Sequence, residues 1–378
     1  MPVDTAVNAK VQQLIERQVA EGRQIGVQVA AYHEGQLVVD AVAGTRGPAD
    51  ARPLRPDDLI LCFSVTKGVA ATALHILADR GLIEYDVPVT KYWPAFGQNG
   101  KERLTVAQAM SHQAGLHYLP EPVTLEHLTD WDAGIRRMEQ GVPAWEPGTA
   151  TGYHAVTYAW IAGGIVQGAT GRHIRDVIHE EIAEPLGIAD SMFVGLPDGL
   201  EDRLTTIEIH PAGEGLPIEP DADFYKAMPV PIWQHFNGMP IRKACLPSAN
   251  GHFSARALAK MYAALANGGE LDGVRLVSKQ RLPHMQRLMT EEPDRVLLSP
   301  IRKGIGYFLG GEVGGFPNAM GPRTSAFGHS GAGGPLGFAD PDVNLAVAVT
   351  SNKMQYPAPG EGVTLEICDA IRRELGLA

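Results

Sequence analysis

Leu61-Cys62-Phe63-Ser64-Val65-Thr66-Lys67-Gly68-Val69-Ala70 reads as the end of a strand turning into a helix. Apolar Leu59, Ile60, Leu61 and Phe63 lead in; Val69, Ala73, Leu74, Ile76 and Leu77 then recur at helical spacing until Asp79-Arg80-Gly81 stops the helix. Ser64 therefore stands at a helix N-terminus with Lys67 one turn on and on the same face, so the amine can lie beside the hydroxyl. The free N–H groups of that first turn point at whatever Ser64 would attack. Alone, Ser-x-x-Lys is weak, since a chain of this length holds roughly one or two by chance. A serine N-cap followed by a solvated lysine is the plain alternative.

Outward from this stretch, the two ends of the chain look alike in kind. Val11, Leu14, Ile15 and Val19 share one helical face within residues 5–22, and apolar runs at 25–32 and 37–43, joined by His33-Glu34-Gly35-Gln36, predict a hairpin. A Gly/Pro-rich connection is expected over 44–56. Short apolar runs at 304–309, 327–330, 337–339 and 345–350 predict strands, and 363–375 predicts a closing amphipathic helix. Between them, 106–112, 125–139, 155–168 and 174–184 read as helices, as does 255–267. The expected fold is α/β (α+β), an antiparallel sheet flanked by helices and built from both chain ends. The expected division is an α/β lobe at about 1–80 and 248–378, an inserted helical lobe at about 81–195, and an irregular segment at about 196–247. That segment holds eight prolines among aromatic residues, including Trp233 and Phe236, and reads as a lid or pocket wall that sets acyl-group choice.

Composition narrows the function classes. The 378 residues carry 44% apolar side chains and a formal charge of −11 with no Lys/Arg cluster. Nucleic acid and an anionic membrane, which need a basic face, are not expected partners. Residues 1–7 carry neither a basic segment nor an apolar run, and no apolar stretch is long enough to cross a bilayer, so the expectation is a soluble, cytoplasmic protein. Cys62, Cys245 and Cys368 lack disulfide or metal-ligand spacing, and no metal or cofactor is expected. Cys62 reads as a small buried strand residue.

Two further stretches complete a constellation. Pro147-Gly148-Thr149 leads to Tyr153 at the start of an apolar helix, and Gly328-His329-Ser330-Gly331-Ala332-Gly333-Gly334 stands at a strand end. A serine needs a base to take its proton, and a buried neutral lysine beside a tyrosine can supply one. The glycines let a substrate approach the backbone closely.

Ser64-Val65-Thr66-Lys67, Pro147-Gly148-Thr149 to Tyr153, and His329-Ser330-Gly331, in that order, resemble the three motifs of the serine β-lactamase and penicillin-binding-protein superfamily. The similarity is greatest to the branch of class C β-lactamases, D-alanyl-D-alanine carboxypeptidases and family VIII carboxylesterases. Met110 to Leu116, Pro185 to Ile188, 248–269 and 347–352 also resemble that family. The resemblance implies Ser64 as acylated nucleophile, Lys67 as general base and Tyr153 as proton relay. It further implies His329 in place of the lysine of the β-lactamase Lys-Thr-Gly motif, and an oxyanion hole of the Ser64 and Ala332 N–H groups. Ala155 stands where β-lactamases carry an asparagine that contacts the substrate amide. With Ala155, Gly331, Trp233 and Phe236 as expected substrate-binding positions, the reading is a serine esterase acting on a small-molecule ester or acyl donor. An acyltransferase, a D-amino-acid peptidase or weak β-lactamase, and a non-catalytic sensor stay open as alternatives.

Overall fold

The computed structural model describes residues 3, 5–214 and 217–377. Met1, Pro2 and Asp4 of the opening segment, Gly215 and Leu216 of the 196–247 stretch, and Ala378 lie outside the described residues.

Seven antiparallel strands form the main sheet, in the order Asp50–Pro53, Gln36–Gly47, Gly26–His33, Leu345–Ser351, Leu336–Asp340, Phe327–Ser330, Phe308–Leu309. The two chain ends meet at its centre, where Val29 faces Val349 on one side and Ala41 on the other. The middle strands are apolar on both faces because both are covered. Val27, Val29, Val347 and Val349 pack beneath helices Ala6–Ala20 and Val363–Glu374 through Val11, Ile15, Ile367 and Ile371. Ala30, Ala339, Ala346 and Ala348 turn the other way, into a larger core shared with helices Val65–Asp79 and Ala255–Ala266. Small side chains on that face let the helices lie close to the sheet.

Helix Val65–Asp79 is buried along nearly its whole length, from Val65 to Ala78, the mark of a helix surrounded by core on all sides. Its packing is tight at Gly68, where a Cβ would come within 2.1 Å of the Tyr262 hydroxyl. The strand before it, Ile60–Leu61, belongs to a separate three-stranded sheet with Gly251–Phe253 and Met192–Val194. The sequence marks the strand leading into Ser64, but its partners Gly251–Phe253 and Met192–Val194 are too short to carry a readable periodicity and are absent from the sequence reading.

Other differences are local. The strand expected to end at Ala43 runs to Gly47 and is followed by Asp50–Pro53 inside the expected connection. Residues 125–139 form two helices, Glu126–Thr129 and Trp131–Gln140, because the Asp130 carboxylate accepts from the Ala133 amide at 2.8 Å and caps a new helix. The helix expected over 155–168 starts only at Tyr158, and 174–184 passes from α-helix into a π-helical turn at His179–Ala183. Within 196–247 the chain forms short pieces only, among them helices Asp223–Ala227 and Met239–Lys243.

Candidate active site

Ser64 occupies the N-cap position of its helix, yet its side chain makes no capping bond. The residue before it, Phe63, has φ +45°, a left-handed conformation that costs free energy for a bulky residue and is retained only where its surroundings enforce it. The Phe63 ring is held between Trp233 and Phe236, with ring centroids 5.8 Å and 5.2 Å away. The Thr66 hydroxyl donates to the Phe63 carbonyl at 2.5 Å and accepts from the Gly251 amide at 2.8 Å, tying the turn to the three-stranded sheet.

The Lys67 amine is fully buried and has three polar neighbours: the Ala155 carbonyl at 2.7 Å, the Ser248 carbonyl at 2.9 Å and the Ser64 hydroxyl at 3.1 Å. Among the described residues no carboxylate pairs with it, and burial pushes its pKa well below that of an ordinary lysine. A neutral amine has two N–H donors and one lone pair. The two carbonyls can only accept, so in the neutral form they can take both N–H groups and leave the lone pair for the Ser64 O–H.

Tyr153 lies over this amine, its ring centroid 4.7 Å from Lys67 Nζ. Burial raises its phenol above the ordinary value, and a hydrogen bond with Ser64 pulls the other way. His112 packs on Tyr153 at 4.8 Å between ring centroids, and its Nδ1 accepts from the His154 amide at 3.1 Å.

His329 is buried, with its ring stacked 4.1 Å from Phe308 and 6.1 Å from Tyr153 between centroids. Its Nδ1 lies 2.6 Å from the Ser330 carbonyl, which can only accept, so the proton sits on Nδ1. Nε2 then presents a lone pair and has no partner among the described residues. Burial, assisted by Lys67, lowers its pKa to about 3.

The strand end carrying His329 touches the nucleophile turn backbone to backbone. At Gly331 a Cβ would stand 2.3 Å from the Cys62 carbonyl oxygen. The Gly331 amide is itself spent on the Pro335 carbonyl at 2.7 Å, whereas the Ser64 and Ala332 amides have no acceptor among the described residues. Cys62 is wholly buried, its thiol donating to the Ile60 carbonyl at 3.2 Å and pushed up in pKa by that burial.

Ser64, Tyr153, Gly331 and Ala332 open onto one cavity of about 380 Å3, walled by Phe224, Met228, Leu297, Phe308 and Tyr356. Two expectations are corrected here. Trp233 and Phe236 are not among the described lining residues of this cavity; they are buried and packed against the Phe63 ring, which leaves them no face toward it. Ala155 does not line it either; its carbonyl is occupied by Lys67. The 196–247 stretch contributes a wall, but through Ala212, Gly213, Glu214, Phe224 and Met228.

Sequence reasoning missed Asp294 and Lys303. This fully buried ion pair lies under the Tyr153 loop: Asp294 Oδ1 accepts from the Tyr153 amide at 3.0 Å, and Lys303 donates to Thr151 Oγ1 at 2.7 Å. Both residues sit in irregular chain, where no periodicity or motif marks a buried charge. No cluster of three or more potential metal ligands occurs among the described residues, and no helix among them is long and apolar enough to cross a membrane.

Comparison with known proteins gives a consistent picture. The Beta-lactamase family profile matches residues 11–368. The esterase/beta-lactamase LipL of Mycobacterium tuberculosis is 37% identical over 350 residues, covering 88% of this chain and 78% of that protein. A solved family VIII carboxylesterase superposes with a TM-score of 0.90 at 34% identity over 99% of both chains. A penicillin-binding-protein homologue from Caulobacter crescentus does so at 0.86, also at 34% identity over 99% of both.

Proposed function

The chain belongs to the beta-lactamase family, and from that premise we propose that it is a serine esterase working through a Ser64 acyl-enzyme. The observation that carries the mechanism is the buried Lys67 amine, held by the Ala155 and Ser248 carbonyls and 3.1 Å from Ser64 Oγ, with burial favouring the neutral form whose lone pair can take the Ser64 proton. As the Ser64 oxygen bonds to the ester carbonyl carbon, its proton passes to Lys67 and the carbonyl electron pair moves onto oxygen. The Ser64 and Ala332 amides, both without a backbone acceptor among the described residues, then stabilise that oxyanion. When the C–O bond to the leaving alcohol breaks, the alkoxide takes the Tyr153 phenol proton while the Lys67 ammonium returns one to Tyr153. Water repeats the sequence on the acyl-enzyme and releases the acid.

Esters are favoured over amides and β-lactams by what surrounds the nucleophile. Ala155 offers no side-chain amide to a substrate amide, and His329 is neutral and acceptor-only at Nε2. The names of the relatives agree: LipL is an esterase/beta-lactamase and one matched structure is a carboxylesterase. The test is intact-protein mass after mixing with p-nitrophenyl hexanoate, with Ser64→Ala in parallel. A transient hexanoyl adduct on the unmodified protein alone, with continuing nitrophenol release, is expected. No adduct and no release would overturn the reading. Adding an alcohol and measuring new ester against free acid separates hydrolysis from acyl transfer.

A further inference from the structure

Charge around the acyl cavity is unusually one-sided. Its walls are Phe224, Met228, Leu297, Phe308 and Tyr356, and no Lys or Arg occurs among its described lining residues. The formal charge on that lining is negative and single: Glu214, exposed at the cavity edge. The groups behind the cavity that might have offset it do not. Neither Lys67 nor His329 is among its described lining residues, and burial disfavours charge on both. Lys303, beneath the Tyr153 loop, is paired with Asp294.

Resting on the esterase reading above, we propose that the cavity selects its substrate by charge, accepting uncharged apolar acyl esters and rejecting acyl donors that carry a carboxylate. A carboxylate entering here would leave water, find no cation among the described lining residues, and share the cavity with the Glu214 carboxylate. An apolar acyl chain meets the opposite situation, since the aromatic and methionine walls are themselves stripped of water by it. Recognition of carboxylate-bearing peptides or lactams would require a positive partner that these walls do not provide.

The test uses three esters of equal acyl length: p-nitrophenyl hexanoate, mono-p-nitrophenyl adipate, in which the terminal methyl is a carboxylate, and p-nitrophenyl 6-(trimethylammonio)hexanoate. kcat/KM for the adipate ester should fall at least ~100-fold below the hexanoate ester, the order expected for an unpaired carboxylate losing its water. The cationic ester should lose clearly less. Glu214→Gln should narrow the hexanoate-to-adipate ratio and Glu214→Lys should narrow it further. Cleavage of the adipate ester within threefold of hexanoate would overturn the charge selection while leaving the esterase standing. Equal loss for the cationic ester would overturn it too, by showing discrimination against polarity alone. Absence of turnover and adduct with all three would remove the esterase reading and this one with it.

Discussion

The Asp294 carboxylate accepts from the Tyr153 amide at 3.0 Å, and the same oxygen accepts from Val296 and Leu297 at 2.8 Å and 2.7 Å. One buried carboxylate therefore joins the tyrosine over Lys67 to Leu297 in the cavity wall. Its other oxygen pairs with Lys303, and both side chains are inaccessible to water. Breaking such a pair by removing one partner leaves an uncompensated buried charge and costs about 3–5 kcal/mol. Asp294→Ala should lower unfolding stability by that order in a urea titration. Asp294→Asn, which keeps an acceptor for the three amides, should retain more turnover than Asp294→Ala at equal fraction folded.

Lys67 makes catalysis and stability pull in opposite directions. Its folded pKa is depressed by burial, so between that value and the ordinary lysine value near 10.5 the unfolded chain binds a proton that the folded chain does not. Stability therefore rises with pH across this window, and the burial penalty grows as pH falls through it. Lys67→Met, of similar length and apolar, should abolish ester turnover, raise stability at pH 7, and flatten the rise toward pH 10. Urea midpoints at pH 7 and 9.5 decide this; a midpoint at pH 7 lowered by the substitution would count against a neutral lysine.

His329 stays neutral down to about pH 3 because of burial and Lys67. The acid limb of the kcat/KM profile therefore reports Lys67, not this histidine. His329→Gln should lower kcat but leave the midpoint of that limb in place. A limb that moved toward or away from pH 6.5 on substitution would assign the titration to His329.

At Gly331 a methyl group would stand 2.3 Å from the Cys62 carbonyl, a backbone atom that cannot rotate away. Gly331→Ala should force the strand end from the nucleophile turn and displace the Ala332 amide. The expected loss in kcat is about 100-fold or more, the scale seen when one oxyanion donor is removed. Gly171, at φ +70° with nothing within 4 Å of a would-be Cβ, provides the comparison. Gly171→Ala should cost about 1 kcal/mol of stability and leave kcat unchanged.

Trp233 supports Phe63 from behind, so Trp233→Ala should destabilise by about 3–5 kcal/mol and lower kcat without changing the ranking of esters by chain length. Phe224→Ala, in the cavity wall, should shift that ranking toward longer acyl groups. Rates across an acetate-to-octanoate series for both variants check the distinction.

The sequence made legible what depends on period and motif. The 25–32 and 37–43 runs announce the hairpin, and short motifs single out Ser64, Lys67, Tyr153 and His329 as candidates, which the fold brings near one another. What stayed hidden depends on tertiary contact. Aromatic residues in an irregular segment suggest a pocket, and Trp233 and Phe236 read that way. Their packing against Phe63, which has φ +45°, is a tertiary contact that no sequence pattern encodes. Asp294 and Lys303 lie in chain without periodicity, and their pairing joins two loops whose proximity is set only by the finished fold. Ala155 was read for its side chain, whereas the structure uses its carbonyl, a group every residue possesses.

The pairing of Gly26–His33 with Leu345–Ser351 at the centre of the sheet has a consequence for biosynthesis. During translation the N-terminal hairpin emerges early and must wait for nearly the whole chain before its inner edge is covered. Until then that edge offers a row of unpaired backbone groups beside an apolar face, a template for pairing with a neighbouring nascent chain. A chain truncated before Leu345 would contain Ser64, Lys67, Tyr153 and His329 yet lack the strand that pairs with Gly26–His33. Yield in a heterologous host should therefore respond to chaperone supply and growth temperature more than to codon choice near the start.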